Sequence, residues 1–133
     1  DYQQLFIIRE MVKQLNLAIT ILAADTVREP SGLAMSSRNG YLSRAEKTQA
    51  SQLHAELVDV CEQIKQQGHS ANFLSLEQAA TLNLQRQGWQ VDYVAIRAAS
   101  NLQAANAQDS DLVVLAAAKL GTTRLIDNLS LKL

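Results

Sequence analysis

Between residues 32 and 39 the chain reads Gly32-Leu33-Ala34-Met35-Ser36-Ser37-Arg38-Asn39, with Thr26-Val27-Arg28-Glu29 leading in. A glycine, two adjacent hydroxyls and a guanidinium are the groups that hold a phosphate. Backbone N–H groups beside a glycine, Ser hydroxyls and the two-pronged arginine fork together surround a polyphosphate with donors. No other stretch of the chain packs such groups so densely. Taken without its surroundings, Ser36-Ser37-Arg38 is also what an ordinary solvated turn or cap carries, because Ser and Asn favour turns.

The elements before this stretch decide where it stands. Leu5, Ile8, Val12 and Leu15 recur at helical spacing, widened by Ile7 and Met11, which predicts an amphipathic helix from Tyr2 to Leu15. Asp1 stands at its N-terminal end, where a carboxylate accepts unpaired amides. Gln4 lies one turn on, and Gln3 reads as a solvated helix residue. Ala18 to Ala23 is short, apolar and rich in β-branched residues, which predicts a buried parallel strand. Parallel sheets bind ligands at the carboxyl ends of their strands, and residues 25–40 follow directly. Pro30-Ser31-Gly32 predicts a turn, and Asn39-Gly40 a second one with positive φ. Arg28 and Glu29 read as a pair in solvent.

A second region starts near Tyr41. Ser43-Arg44-Ala45-Glu46 has capping-box spacing, and the helix it opens runs to about Gln67, buried along Leu53, Leu57, Val60, Cys61 and Ile64, with Gly68 ending it. Ser70 to Gln87 predicts another helix, with Phe73, Leu76, Ala80 and Leu84 on one face. Trp89 to Arg97 predicts a strand with Trp89, Val91, Tyr93 and Ala95 on one side and Gln90, Asp92, Val94 and Ile96 on the other. Leu112 to Leu120 is continuously apolar, as a central strand is. Leu120-Gly121-Thr122-Thr123 is a turn into Arg124–Leu133, where Leu125, Asp127, Leu129, Leu131 and Leu133 alternate with Arg124, Ile126, Asn128, Ser130 and Lys132. The last two strands should form a hairpin.

Composition closes off several function classes. A hydrophobic fraction of 47% over 133 residues is enough for a core, and a net charge of −1 offers no bulk attraction to nucleic acid. The longest apolar runs are too short to span a bilayer. The single Cys61 has no disulfide partner within the chain and falls on a buried stripe. His54 and His69 have no ligand partner at metal spacing, so both read as surface residues and no metal site is expected.

Four stretches carry a family likeness, in order and spacing: Asp1-Tyr2-Gln3-Gln4-Leu5; Thr26 to Glu29; Gly32 to Ser43; and Leu120-Gly121-Thr122-Thr123-Arg124-Leu125-Ile126-Asp127-Asn128. Together they closely resemble the pantoate–beta-alanine ligases, a family akin to the class I aminoacyl-tRNA synthetases. The resemblance runs the whole length of the chain. It implies an α/β to α+β architecture: residues 1–40 as the tail of a Rossmann-like nucleotide-binding domain, its last helix and strand, and residues 41–133 as a small α+β lid with a three-stranded antiparallel sheet and helices. It implies ATP-dependent condensation of pantoate with beta-alanine through pantoyl adenylate, releasing AMP and pyrophosphate, in coenzyme A biosynthesis. ATP would meet Asp1 near the ribose, the backbones of Val27 and Met35, and Ser36, Ser37 and Arg38 at the triphosphate. The last three are the expected catalytic groups, Gln4 would bind pantoate, and Mg²⁺ would accompany ATP.

The resemblance further implies that the chain is the C-terminal portion of a cytoplasmic enzyme. The upstream half would supply a lysine just before Asp1, a histidine-rich signature loop and most of a homodimer interface, leaving this portion inactive alone. Two other readings stand beside it: another nucleotidyltransferase of the same superfamily, and a non-catalytic C-terminal domain. A synthetase would favour a lysine-rich loop, whereas this loop carries Ser-Ser-Arg and no lysine. Asp1 could equally be only a helix cap, and Gln4 only a solvated glutamine.

Overall fold

The computed structural model describes residues 1–133. Helix α1 spans Tyr2–Gln14, with the Asp1 carboxylate accepting from the Gln4 N–H at 3.1 Å as its N-cap. Its apolar stripe is only half covered, and Ile7, Met11 and Leu15 are exposed. Two hydroxyls tie it to the rest of the chain. Tyr2 donates to the Ala99 carbonyl and Tyr93 donates to Gln3 Oε1, each at 3.0 Å. Gln3 is exposed on the helix as expected, and its side chain also accepts from a tyrosine 90 residues away.

The predicted strand at residues 18–23 does not form. The segment is irregular and largely exposed, with Ile19 and Leu22 in solvent. A strand exists through its ladder partners, and the three strands of this chain pair in a single sheet that this run does not join. The turn that follows does form. Arg28 and Ala34 bridge, the Glu29 N–H donates to the Leu33 carbonyl at 2.8 Å, and Gly32 adopts φ 90°. That conformation is one glycine reaches without steric penalty. Residues Ser37–Tyr41 then make a 3₁₀ turn. Gly40 is not among the glycines with positive φ, so the second expected reversal is absent. The chain has already turned at Gly32, and a 3₁₀ turn needs only negative φ.

Helix α2, Arg44–Gln67, begins with the full capping box: Glu46 N–H to Ser43 Oγ at 3.2 Å, Ser43 N–H to Glu46 Oε2 at 2.8 Å. Helix α3 runs Phe73–Arg86, starting later than the periodicity predicts. A 3₁₀ turn uses Gly68–Ser70, and the Asn72 side chain, accepting from Ser75 N–H, sets the new start. Strands β1 (Gln90–Ala98), β2 (Asp111–Leu120) and β3 (Thr123–Lys132) form an antiparallel sheet in the order β1-β2-β3. The β2–β3 hairpin closes at Leu120 opposite Thr123, as the turn signal predicts.

One register detail differs from the simple alternation. A bulge between Val91 and Tyr93 inserts a residue into β1. An extra residue moves everything beyond it to the opposite face. Trp89 and Val91 before the bulge thus share the core with Val94 and Ile96 after it. The helices α2 and α3 cover that face through Leu57, Ile64 and Leu84, all fully buried. Each such side chain contributes about 1.5–3 kcal/mol relative to exposure.

Candidate phosphate-binding site

The Gly32 turn delivers residues 33–39 beside the start of β3. Ser36 Oγ accepts the Arg38 N–H at 3.2 Å and caps the 3₁₀ turn. Asn39, buried under the loop, donates from Nδ2 to the Ala34 carbonyl at 3.0 Å, and its Oδ1 has no partner. The loop is thus stitched at both ends while Arg38 itself stands exposed, with a guanidinium that pairs with nothing in the chain.

These groups open onto a cavity of about 200 Å³ between the loop, α2 and residues 124–128 of β3. Of the expected set, Asp1, Met35, Ser36 and Arg38 line it, and Ser37, Val27 and Gln4 do not. Ser37 and Gln4 are exposed nearby in sequence, and the Val27 carbonyl accepts the Met35 N–H at 2.9 Å. Asp1 does two things: its Oδ1 caps α1, and the residue reaches the cavity wall. Convergent donors, one unpaired guanidinium and a nearby carboxylate suit a phosphorylated ligand bearing hydroxyls.

A buried charge cluster forms the floor. Asp127 is 4% exposed at its side chain and takes both prongs of Arg28, at 2.7 Å to Oδ2 and 2.9 Å to Oδ1. Arg28 also donates to the Gly32 carbonyl at 3.0 Å. Its neighbour Glu29 pairs with Lys47 at 3.1 Å. The expected Arg28–Glu29 pairing in solvent is therefore replaced by two long-range pairs, because a buried carboxylate needs a desolvated cation more than an exposed one does. His54 is not a surface residue either. Its Nδ1 lies 3.3 Å from Asp127 Oδ2, off the hydrogen-bond axis, so the nitrogen is buried without a bonded partner. His69 is exposed as expected.

Sequence reasoning passed over Asp127, His54 and the burial of Asn39. The signal for Asp127 was present: a lone carboxylate on the apolar alternation of Leu125, Leu129 and Leu131 requires a buried cation. Elsewhere, Cys61 is buried as its stripe predicts, and burial pushes its thiol up to about 11. No group of three or more His, Cys, Asp or Glu side chains could hold a metal ion. No helix is long and apolar enough to cross a membrane.

Comparison with known proteins gives the family. The family model described as Pantoate-beta-alanine ligase matches residues 1–130. A pantothenate synthetase of Thiobacillus denitrificans is 57% identical over 97% of this chain and 45% of its own length. One from Neisseria meningitidis serogroup C is 51% identical over 100% and 47%. The crystal structure of the Thermus thermophilus enzyme superposes with TM-score 0.86 at 33% identity, over 97% of this chain and 46% of that one. A Francisella tularensis pantoate-beta-alanine ligase, solved in complex with beta-gamma ATP and beta-alanine, gives 0.60 at 27%, over 97% and 40%. The chain spans about half the length of the curated relatives it matches. With the family model covering nearly all of it and relatives agreeing in both sequence and fold, this chain belongs to the pantoate-beta-alanine ligase family.

Proposed function

We propose that this chain is the phosphate-loop and lid portion of an ATP-dependent ligase that condenses pantoate with beta-alanine. The observation that carries the reading is the convergence of Asp1, Ser36 and Arg38 on one cavity, with Arg38 unpaired. A relative of the same fold was solved in complex with beta-gamma ATP and beta-alanine, which supports ATP and an amine substrate here. In this reading Arg38 and the Ser36 and Ser37 hydroxyls bind the triphosphate. The arginine offsets the charge that builds as pyrophosphate leaves, which is transition-state stabilisation by a preorganised cation. Pantoate carboxylate oxygen attacks the α-phosphorus and pantoyl adenylate forms. The beta-alanine amine then attacks the acyl carbon, AMP leaves, and pantothenate is the product.

Asp1 faces the ribose, the Val27 backbone faces adenine, the Met35 backbone meets ATP, and Gln4 binds pantoate. Residues 1–40 belong with the nucleotide-binding body and residues 41–133 act as the lid. An acyl adenylate hydrolyses readily, so a lid that excludes water protects it. The residues here do not form a magnesium site of their own. Mg²⁺ would arrive coordinated by the phosphates and water, as is usual for this ion, and no step is assigned to it.

The exposed apolar side chains Ile7, Met11 and Leu15 of α1, and Ile19 and Leu22 beyond it, are surface that the remaining length of the ligase covers. Full-length protein works as a homodimer in the cytoplasm. The test is calorimetric titration of Mg-ATP into this chain and into a ligase of the relatives' full length that carries it. Binding and pantothenate formation by the longer protein alone supports a composite site. Neither binding nor product from either would return Ser36-Ser37-Arg38 to an ordinary turn.

A further inference from the structure

We infer that Arg28 and Asp127 are positioning residues for the phosphate loop, an assignment that rests on the function proposed above. Both terminal nitrogens of Arg28 are engaged. One terminal nitrogen holds the Gly32 carbonyl and Asp127 Oδ2; the other holds Asp127 Oδ1 and, at 3.4 Å, the Asn128 carbonyl. Its side chain is 19% exposed, so it has little to offer a ligand. Arg38, on the far side of the same turn, is the reverse: exposed and unpaired.

Two arginines ten positions apart thus divide the work, one fixing the backbone and one facing the cavity. Asp127 is held in turn. The Asn128 N–H donates to its Oδ1 at 2.7 Å, and His54 flanks Oδ2. Residues Leu125 and Asp127 of β3 line the same cavity as Ser36 and Arg38. The Gly32 carbonyl is therefore fixed relative to the sheet through one guanidinium. The Asn39-to-Ala34 bond lies within the loop and gives no such reference, and the turn's other contacts, Glu29 with Lys47 and Gly32 with His54, run to α2.

This arrangement makes the loop's place on the sheet depend on a planar fork. A lysine would keep the charge but cannot hold both carboxylate oxygens and the Gly32 carbonyl in one plane. Loss of the fork lets Arg38 shift, and a misplacement of about 1 Å costs on the order of 10² in turnover.

The experiment uses a ligase of the relatives' full length carrying this chain, with Arg28→Lys, Asp127→Asn, Arg38→Ala and the pairs with Arg38→Ala. Steady-state kinetics are measured for ATP and for beta-alanine, with thermal unfolding alongside. A positioning role gives a fall of about 10–10² in kcat/KM for ATP for Arg28→Lys, with KM for beta-alanine within twofold. Each pair with Arg38→Ala should then be hardly worse than Arg38→Ala alone, since the first residue acts through the second. A purely structural role instead lowers kcat in proportion to the folded fraction and leaves both KM values unchanged; that result, or multiplicative losses in the pairs, overturns the inference. If Asp127→Asn fails to fold, Arg28→Lys decides alone. If Arg38→Ala leaves ATP kinetics untouched, the function reading falls and this inference with it. If Arg38→Ala is damaging and Arg28→Lys is not, only the inference falls.

Discussion

A methyl group on Gly32 would stand 2.9 Å from His54 Cδ2. The turn that presents the candidate phosphate loop therefore packs against α2 so closely that no side chain fits between them. Gly32 also has φ 90°, a region that side chains with a Cβ avoid. Gly32→Ala should destabilise the chain by about 1–3 kcal/mol, the usual cost of holding a residue in a sparsely populated conformation. Urea unfolding measures it, and part of the loss should return with His54→Ala added, because that removes the clash and leaves the backbone strain.

Arg38 lies outside the core and pairs with nothing, so Arg38→Ala should leave the unfolding midpoint unchanged. In the full-length ligase it should lower turnover by roughly 10²–10³, the cost of deleting one preorganised charge-stabilising donor. Retained turnover with an intact fold would move the triphosphate away from this loop.

The start of α2 offers a pH test. The Ser43 backbone and side chain hold the Glu46 carboxyl below its ordinary value. A carboxylate whose pKa is depressed by folding stabilises above its unfolded value, and that contribution is lost as pH falls through the folded one. The stability difference between the native chain and Glu46→Gln should therefore be largest at neutral pH and shrink below about pH 4. Glu56 has the opposite sign: burial raises its pKa first, with the bond from Asn83 opposing and Asp59 adding to the rise. Glu56→Gln should help at neutral pH, and that advantage should fade as pH falls through the raised value and below the ordinary one. Ser43→Ala removes the cap itself and should cost about 1 kcal/mol.

Cys61 reports opening. With its thiol pushed up to about 11 and its side chain buried, it carries almost no thiolate in the folded state. Alkylation at pH 8 should be slow in buffer and fast in denaturant. Fast modification under native conditions would show that α2 opens far more often than its buried face allows.

How much of this was legible in residue order depends on the range over which each feature is decided. Helix α2 was readable to the residue, because a capping box, a 3.6-residue stripe and Gly68 all act within a few positions. The β2–β3 hairpin was readable for the same reason: period-two alternation meets a turn at Gly121. The Ser36-Ser37-Arg38 stretch stood out by its residue types, and the family likeness gave those types an expected ligand.

What residue order alone left open were the features that need a distant partner. Residues 18–23 have strand composition, but a strand forms only when another edge is present to pair with it. The β1 alternation looked regular through Asp92, and only pairing with β2 introduced the bulge that turns Val94 and Ile96 to the core. Arg28 and Asp127 are 99 positions apart, and nothing local to either names the other. Desolvation made the choice: once β3 carries Asp127 into the interior, it needs a buried cation, and Arg28 supplies it. That pairing, with Gly32 packed on His54, decided where the candidate phosphate loop stands.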